Sequence, residues 1–339
     1  MTSVSVSIVL YDSSDVIESC LRAIDRQTRA PDSVVVFDNA SIDEGLAIAR
    51  RTLPDALFHQ ASTNVGFAAG QNHAMSLAPA EIHLTLNPDC QLAPTFIERA
   101  VSAMERDPTA GSLSGRLLRF TEAHVDAQPA DPEPSDLLDS AGMVALRNRR
   151  VLDRGSDEPA VGRYAEDEYV FGASGAAAVY RRAMLQDVAY DGQFFDATFF
   201  AYREDVDLAW RAQQRGWRCR YLPTAMARHR RRVAPGRRAQ LPGWINRLSL
   251  VNRWRMIAKN ETAVGWRRDW AAILGRDLAT LGYCALREPS SLLAVGIVAA
   301  DAQRLRAWRR HIARGRRVAP EELLRWFGRV AAEPAGRID

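Results

Sequence analysis

The sequence predicts an α/β fold with a mostly parallel, doubly wound sheet, followed by a helical C-terminal extension. Three observations point to this fold. Short β-branched runs alternate with amphipathic stretches through the N-terminal third, polar residues follow several of these runs, and the C-terminal third carries tryptophans among arginines at helical spacing. Strands and helices that alternate with short connections are typical of parallel sheets covered by helices.

The predicted elements follow one another closely along the chain. Strands are predicted at residues 4–10, 33–37, 56–60 and 82–86, with helices at 16–24, 44–51 and 67–77 between them. An acidic, proline-bearing stretch at 121–134 is expected to be a loop. Beyond it the pattern predicts a hairpin within 140–152, a strand at 177–180, a helix that begins at 204 and ends at Gly216, and a strand at 217–222.

Composition places the chain among globular proteins. It has 339 residues, 47% of them hydrophobic, which suits one large domain with an appendage or two domains. We expect a main domain over residues 1–238 and a basic helical extension over residues 239–339. The four cysteines have neither metal-ligand nor redox spacing, so we expect reduced, buried thiols without disulfides.

Several localisations and partners are not expected. The longest apolar stretch, Leu292 to Ala300, is too short to span a bilayer, and the chain starts with a strand pattern rather than a signal peptide. The main domain is net acidic and has no recognition motif, so nucleic-acid binding is not expected either. These features predict a cytoplasmic protein.

Polar side chains follow three of the predicted strands. Tyr11 follows the first strand, Asp38 and Asn39 end the second, and Asn87 and Asp89 follow the fourth. Ligands bind at the carboxyl ends of strands in such sheets, so these groups should outline one site. Asp38 could recognise a ribose or base edge or belong to an Asp-Asn turn, and Asp89 could hold a divalent metal or belong to a turn. No G-x-G-x-x-G follows the first strand, which argues against NAD.

Two stretches of small residues are further candidates for ligand contact. Residues 64–72 open a helix with Asn64, Gly66 and Asn72, a composition that lets the backbone approach an anionic or hydroxylated ligand. The run Gly172-Ala173-Ser174-Gly175 precedes a predicted strand and offers a similar close approach.

An aromatic run that stops at three acids, within residues 194–211, organises the rest of the main domain. Glu204, Asp205 and Asp207 lie where a helix begins, so the helix dipole favours all three carboxylates. Asp207 precedes Arg211 by four residues, the spacing of an intrahelical ion pair, and should be structural. Glu204 or Asp205 then remains to face a ligand. The helix start would lower their pKa and aromatic burial would raise it, and the sequence leaves that balance open.

Two basic regions have open roles. His229 lies in a run of arginines and could be a metal ligand, contact a diphosphate, or belong to a solvated basic patch. The Trp/Arg-rich extension could pack on the main domain or lie in a membrane interface.

In this order, the motifs resemble those of family 2 glycosyltransferases, which have the Rossmann-like GT-A fold, and among them bacterial rhamnosyltransferases of cell-wall or polysaccharide biosynthesis. The resemblance covers about residues 4–230, and the ordered set is specific although no single piece is. The matching pieces are residues 7–11, 36–41, 64–72, 87–89, 172–176 and 200–208.

The resemblance implies an inverting transfer of a sugar from a nucleotide-diphosphate donor, with Mg²⁺ or Mn²⁺ as cofactor. It divides the main domain into a nucleotide-sugar half to about residue 118 and an acceptor half over 119–238. Asp38 would contact a pyrimidine base. The donor-binding residues implied are Tyr11, Asp38, Asn39, Asn64, Gly66, Asn72 and Asn87.

The resemblance also assigns the metal and the reacting groups. Asp89 corresponds to the last acid of the family's metal motif, whose first acid is replaced here by Asn87, and His229 to a late metal or diphosphate ligand. Asp205 corresponds to the base that takes the proton of the acceptor hydroxyl. Glu204 would orient the acceptor, and Gly172 to Gly175 would line the acceptor side.

The expected donor is dTDP-rhamnose and the expected acceptor is lipid-linked or a polysaccharide. Transferases of galactofuranose, glucose or mannose look similar. A sugar-nucleotide pyrophosphorylase would need a basic glycine-rich loop directly after the first strand, which is absent. A non-catalytic nucleotide-sugar-binding protein is a third alternative. A homodimer and a peripheral contact of residues 239–339 with the inner face of the cell membrane are left open.

Overall fold

The computed structural model describes residues 1–120, 132–133, 135–231, 242–328 and 333–334, so the loop predicted at 121–134 lies almost wholly outside the described residues. The described strands are numbered β1 to β13 in chain order. They span Val4–Leu10, Ser33–Asp38, Leu57–Gln60, Ile82–Leu86, Cys90–Leu92, Ala110–Arg119, Leu138–Ser140, Met143–Ala145, Val151–Asp153, Glu168–Val170, Ala177–Arg181, Arg218–His229 and Glu333–Pro334.

The described α-helices are numbered α1 to α11. They span Ile17–Asp25, Gly45–Thr52, Phe67–Leu77, Phe96–Arg106, Arg182–Val188, Glu204–Arg215, Gly243–Asn260, Ala263–Arg287, Ala294–Ala300, Ala302–Arg314 and Pro320–Leu323. Short 3-10 turns occur at Ala197–Phe199, Pro289–Leu293 and Leu324–Trp326.

One mixed sheet of eleven strands forms the centre of the molecule. Its main path has the order β13-β10-β12-β6-β11-β4-β1-β2-β3. β1 pairs in parallel with β2 and β4, and β2 with β3, as the doubly wound prediction requires. The other half is mixed, because β11 is antiparallel to both β4 and β6 while β12 is parallel to β6.

Helices cover both faces of the sheet. Side chains alternate between the two faces of a strand, so Ile8 and Leu10 of β1 pack with α1 and α4 while Val9 packs on the opposite face with α3. That second face continues into a core built by α3, α5 and α6. All four cysteines are buried, and none forms a disulfide, as expected.

The observed bounds agree with the predicted ones in the N-terminal part and differ at one strand. Helix α3 and strand β4 have the predicted bounds, the other predicted elements before residue 90 agree within one residue, and β8 and β9 form the predicted hairpin. The strand predicted at 217–222 was wrong at its end, because β12 continues to His229. Pro223 interrupts the sequence pattern, and the pairing of β12 with β6 shifts register between Leu222 and Met226 to accommodate it.

The extension packs against the main domain. Helix α7 lies against α6 on one side and against α9 and α10 on the other, and β13 adds to the edge of β10. Among the helices that the structure describes, none is both long and apolar enough to cross a membrane.

Candidate active site

A strained turn places the acids at the start of α6. Phe200, Tyr202 and Arg203 have φ values of 61°, 71° and 71°, which side-chain-bearing residues rarely adopt. Such strain persists only where the surroundings enforce it, and it concentrates at functional sites. Helix α6 begins at Glu204 directly after this turn and runs to Arg215, and Gly216, with φ 87°, caps its end as predicted.

Two backbone amides hold the carboxylate of Asp205 in place. The amide of Gly175 donates to Asp205 Oδ2 at 3.0 Å, and the amide of Val206 donates to Oδ1 at 2.8 Å. A Cβ on residue 175 would lie 3.1 Å from Oδ2, so glycine permits this approach. Burial raises the pKa of Asp205 to about 6 against the opposing effect of the two amides. A carboxylate with this pKa is suited to general-base catalysis near neutral pH.

Glu204, next to Asp205, is a buried acid. Burial followed by the charge of Asp205 raises the pKa of Glu204 well above the ordinary value. Within the described part of the chain, Glu204 Oε2 has no hydrogen-bond partner. The raised pKa favours the protonated form of Glu204, which can donate a hydrogen bond, and adjacent carboxyl groups with different surroundings commonly have different catalytic roles.

Asp207 is structural, which confirms the sequence-based prediction. Arg211 Nε donates to Asp207 Oδ2 at 2.9 Å. Lys259 Nζ lies 2.9 Å from the same oxygen and 2.8 Å from Asp196 Oδ2, and Asn260 Nδ2 donates to Asp207 Oδ1 at 2.8 Å. This buried network fastens α6 to α7 of the extension.

The strained turn itself connects the acids with the glycine-containing loop before α3. Asn252 Nδ2, on α7, lies within 2.7–3.0 Å of the carbonyl oxygens of Phe199, Ala201 and Tyr202. On the other side, the amide of Ala68 donates to the Phe200 carbonyl at 3.1 Å. Asn252 thus holds the turn from behind, a role that no sequence motif indicated.

The glycine-containing loop is shaped by its asparagines. Asn39 Nδ2 donates to Asn64 Oδ1 at 2.9 Å, and the amide of Gly66 donates to the same oxygen at 2.9 Å. Gly66 has φ 84°, and a Cβ there would lie 2.6 Å from the Phe200 ring. Asn72 uses its amide to bind the backbone of Phe195. These residues order the loop, and their direct contact with a donor stays a prediction.

Asp38 takes part in the turn that one of its two sequence-based interpretations gave, and its contact with a ribose or a base stays a prediction. It is fully buried at the end of β2, and its Oδ1 accepts from the Ser41 amide at 3.2 Å, as in a turn. Its Oδ2 is buried and has no hydrogen-bond partner among the described residues. Oδ1 therefore stabilises the turn, and Oδ2 is available to accept a hydrogen bond from a ligand. Tyr11, which is 47% exposed, follows β1 at the same edge of the sheet.

His229 bridges two carboxylates. Its Nδ1 lies 2.8 Å from Asp139 Oδ2, and its Nε2 lies 3.3 Å from Asp89 Oδ1. The side chain is buried, so the alternative of a solvated basic patch was wrong for His229. Burial lowers the pKa of His229, but the hydrogen bonds with Asp139 and Asp89 outweigh it and raise the pKa to about 9.

These donors fit a divalent metal. Asp89, Cys90 and His229 offer ligand atoms within 4.8 Å of one another. Burial raises the pKa of the Cys90 thiol, which leaves it neutral and unsuited to a hard metal. A carboxylate and an imidazole suit Mn²⁺. Because the raised pKa favours a protonated His229, a bound metal would have to replace the Nε2 proton, while Asp139 would keep the proton on Nδ1 and so orient the ring.

Asp139 was missed by the sequence-based prediction. It is fully buried and pairs with Arg231 Nε at 2.7 Å, and Arg231 also pairs with Asp153 at 2.5 Å. An Asp between Leu138 and Ser140 carries no motif, so only the fold connects Asp139 with His229.

The acids and the metal-ligand candidates lie at one edge of the sheet. The amide of Asn87 donates to the Ala176 carbonyl at 2.8 Å, directly after the Gly175 that binds Asp205. Gly172 instead packs on α6, where an added Cβ would lie 2.5 Å from the Ala209 Cβ. Of the run 172–175, Gly175 is therefore the member that reaches the acids, and acceptor binding by the run stays a prediction. Ala173 and Ser174 are both buried.

Comparisons with known proteins point to one family. The family model "Glycosyl transferase family 2" matches residues 5–189, and the model "Glycosyl transferase family group 2" matches residues 162–312. The chain is 27% identical over 247 residues to the N-acetylglucosaminyl-diphospho-decaprenol L-rhamnosyltransferase of Mycobacterium tuberculosis, covering 68% of this chain and 76% of the relative. It is 24% identical over 233 residues to the O-antigen chain rhamnosyltransferase RfbN of Salmonella typhimurium, covering 68% of each.

Solved structures share the fold. GalNAc-T7 with UDP, GalNAc and Mn²⁺ matches with a TM-score of 0.59 at 13% identity, over 76% of this chain but only 48% of that one. The mannosyltransferase PcManGT from Pyrobaculum calidifontis, in complex with GDP-Man and Mn²⁺, matches with a TM-score of 0.53 at 20% identity, over 92% of this chain and 84% of that one. Asp38, Asp89, Asp205 and His229 lie at one edge of a GT-A sheet, and the family 2 model matches more than half of the residues of the chain. The chain therefore belongs to glycosyl transferase family 2.

Proposed function

We propose that this glycosyltransferase is an inverting enzyme that moves L-rhamnose from dTDP-rhamnose onto a hydroxyl group of a lipid-linked or polysaccharide acceptor. The observation that carries the proposal is Asp205, a desolvated carboxylate held by the Gly175 amide beside the metal-ligand candidates. Both curated relatives are named as rhamnosyltransferases, and the mycobacterial name specifies a diphospho-decaprenol acceptor.

The proposed reaction is a single displacement. Asp205 accepts the proton of the acceptor hydroxyl while the acceptor oxygen bonds to the anomeric carbon of the sugar. The bond from that carbon to the donor phosphate breaks at the opposite face, and the nucleoside diphosphate leaves with the electron pair. Glu204, whose raised pKa favours its protonated form, orients the acceptor through a donated hydrogen bond. Asp89 and His229 would hold Mg²⁺ or Mn²⁺, which would supply positive charge to offset the charge of the leaving diphosphate.

The donor would be bound by the edge formed by β1, β2 and β4. Asp38 Oδ2, buried without a partner in the described structure, can accept the imide N–H of thymine. Uracil has the same imide, so this contact supports a pyrimidine without selecting between the two. Donors of galactofuranose, glucose or mannose therefore remain the alternative within the family.

The boundaries and location of the enzyme are part of the proposal. Residues 1–238 would form the catalytic domain, and residues 239–339 would support it and contact the inner face of the cell membrane. The acceptor half would begin at about residue 119. A homodimer remains the alternative arrangement for the extension.

The deciding experiment is thermal unfolding with a panel of nucleotide sugars, with and without Mn²⁺, followed by a turnover assay. Donors that bind only the folded state raise the unfolding temperature by mass action. We expect a larger, Mn²⁺-dependent rise with dTDP-rhamnose than with UDP-sugars or GDP-mannose, and sugar transfer from the same donor. A larger response to another donor would replace rhamnose, and binding without turnover on any acceptor would replace the enzyme with a nucleotide-sugar-binding protein.

A further inference from the structure

The solvent-facing side of α8 carries large apolar side chains beside exposed arginines, unlike an ordinary surface helix, whose exposed side chains are mainly polar. Trp270, Leu274, Leu278 and Leu286 lie along α8 from its second turn to its end, with exposed fractions of 53%, 40%, 68% and 84%. Ala271, Gly275 and Gly282 lie between them and are exposed as well. A solvent-facing helix usually presents charged side chains at such positions.

The acids of α8 lie on its inner side instead. Asp269 is fully buried and pairs with Arg149 at 2.7 Å. Asp277 pairs with Arg253 of α7 at 2.7 Å. Ile273, between them, is buried as well. The polar side of the helix is therefore used for packing, and its apolar side has no covering element among the described residues.

The segment after α8 extends this surface. Residues 289–300 contain no charged residue, and Leu293, Val295 and Ile297 are exposed by 62%, 53% and 38%. Only Ser291 and Ala294 of the segment are buried. We use the name apolar face for the exposed side chains of Trp270, Leu274, Leu278, Leu286, Leu293, Val295 and Ile297.

We propose that the apolar face docks on the head-group region of an anionic bilayer. Contiguous exposed apolar surface of this kind marks an interaction site. The extension that carries it is rich in arginine, and Arg267 and Arg287 are exposed near the two ends of α8. Exposed Trp266 and Trp270 are of the type that lies at lipid head-group level. Aliphatic, aromatic and basic side chains together are typical of helices that lie in the interface without crossing it.

The position of the apolar face fits an acceptor that is presented by the membrane. Leu250 and Val251 of α7 pack against Cys284 and Ala294 beneath the apolar face. The next residue of α7, Asn252, holds the strained turn before Glu204. Since α7 and α8 lie between them and an α-helix is about 10 Å across, the docked surface of α8 would lie roughly two helix diameters from that turn. This step rests on the proposed lipid-linked acceptor, whereas docking itself does not.

The test is co-sedimentation of the full-length chain with vesicles, without donor or acceptor. Vesicles of phosphatidylcholine alone are compared with vesicles that also contain phosphatidylglycerol. We expect at least about tenfold stronger binding to the anionic vesicles at low salt, because each arginine near the surface adds to the attraction, and weaker binding when salt screens it. The triple variant Leu278→Glu, Leu293→Glu, Ile297→Glu should lose binding by about tenfold or more.

The control is Ile42→Glu in the nucleotide half, which changes a more exposed apolar side chain (94%) away from the apolar face and should bind like the unaltered chain. Circular dichroism checks that each variant is folded. Equal sedimentation of the triple variant and the unaltered chain would overturn the proposal. A dimer in light scattering that the triple variant dissociates, with no vesicle binding, would assign the apolar face to a second copy and overturn it too. Neither of these outcomes concerns sugar transfer from the donor, so the proposed reaction is tested separately by the turnover assay.

Discussion

Replacing Asp205 by Asn separates catalysis from stability at this site. Asn has nearly the same shape and can still accept from the Gly175 amide at the 3.0 Å position. It cannot take a proton, so the general-base contribution is lost. That contribution is typically 10²–10⁴-fold, or about 3–5 kcal/mol of activation free energy. We expect the turnover rate to fall by this factor while the donor affinity is retained.

The pH dependence gives an independent prediction. The pKa of Asp205 is about 6, so the rate of the unaltered enzyme should rise with pH up to about 6 and level off above it. At pH 5 only about one tenth of the carboxyl groups are ionised, which predicts a rate about tenfold below the plateau. The small residual rate of the Asn variant should lack this rise.

The same pKa shift predicts the direction of the stability change. Relative to an ordinary aspartate with pKa 3.8, the folded state holds the Asp205 proton more tightly than the unfolded state does. The contribution of this group to stability therefore falls as the pH rises from about 4 to about 6. The Asn variant avoids that loss and should be more stable than the unaltered chain at pH 7.5, by up to about 3 kcal/mol.

The measurements are initial rates between pH 5 and 8 and urea unfolding at pH 7.5, with Asp25→Asn as a control at an exposed aspartate on α1. The control should change neither property. If the Asn variant keeps more than about a tenth of the activity, or if the acid limb persists in its residual rate, Asp205 is not the base.

Three further changes test the surroundings of the site. Lys259→Met leaves two buried carboxylates with fewer partners, so urea unfolding should show a loss of about 3 kcal/mol, and an unchanged midpoint would contradict the bridging role. Asn252→Ala removes the donor to three turn carbonyls, so we expect a loss of about 2 kcal/mol together with a lower turnover number at nearly constant donor KM, which steady-state kinetics would show. Asp139→Asn should weaken Mn²⁺ binding by about 10–100-fold in calorimetry through the orientation of His229, and unchanged affinity would exclude this role.

The sequence-based prediction was most successful where local rules determine the structure. The alternation of strands and helices up to residue 90 was predicted nearly residue by residue, because each buried strand and amphipathic helix there is short and bounded by turn residues. The Asp207 to Arg211 pair followed from helical spacing and is confirmed. The family followed from an ordered set of motifs, although the individual roles of the donor and acceptor residues remain predictions.

The sequence could not settle the questions that depend on long-range contacts. It left the balance of opposing pKa effects on Glu204 and Asp205 open, since burial is a property of the packed chain. It did not distinguish a buried His229 from a solvated one, because the partner Asp139 lies 90 residues away in the chain.

The sequence by itself determined the α/β class, the order of the N-terminal elements and the acids at the start of α6, because these depend on periodicity and capping within a few residues. Only the tertiary structure decided that α7 holds the strained turn through Asn252, that Asp139 joins His229, and that α8 turns its acids inward and its leucines outward. Each of these features joins segments far apart in the chain, and the free energy of burial that brings them together belongs to the folded molecule as a whole.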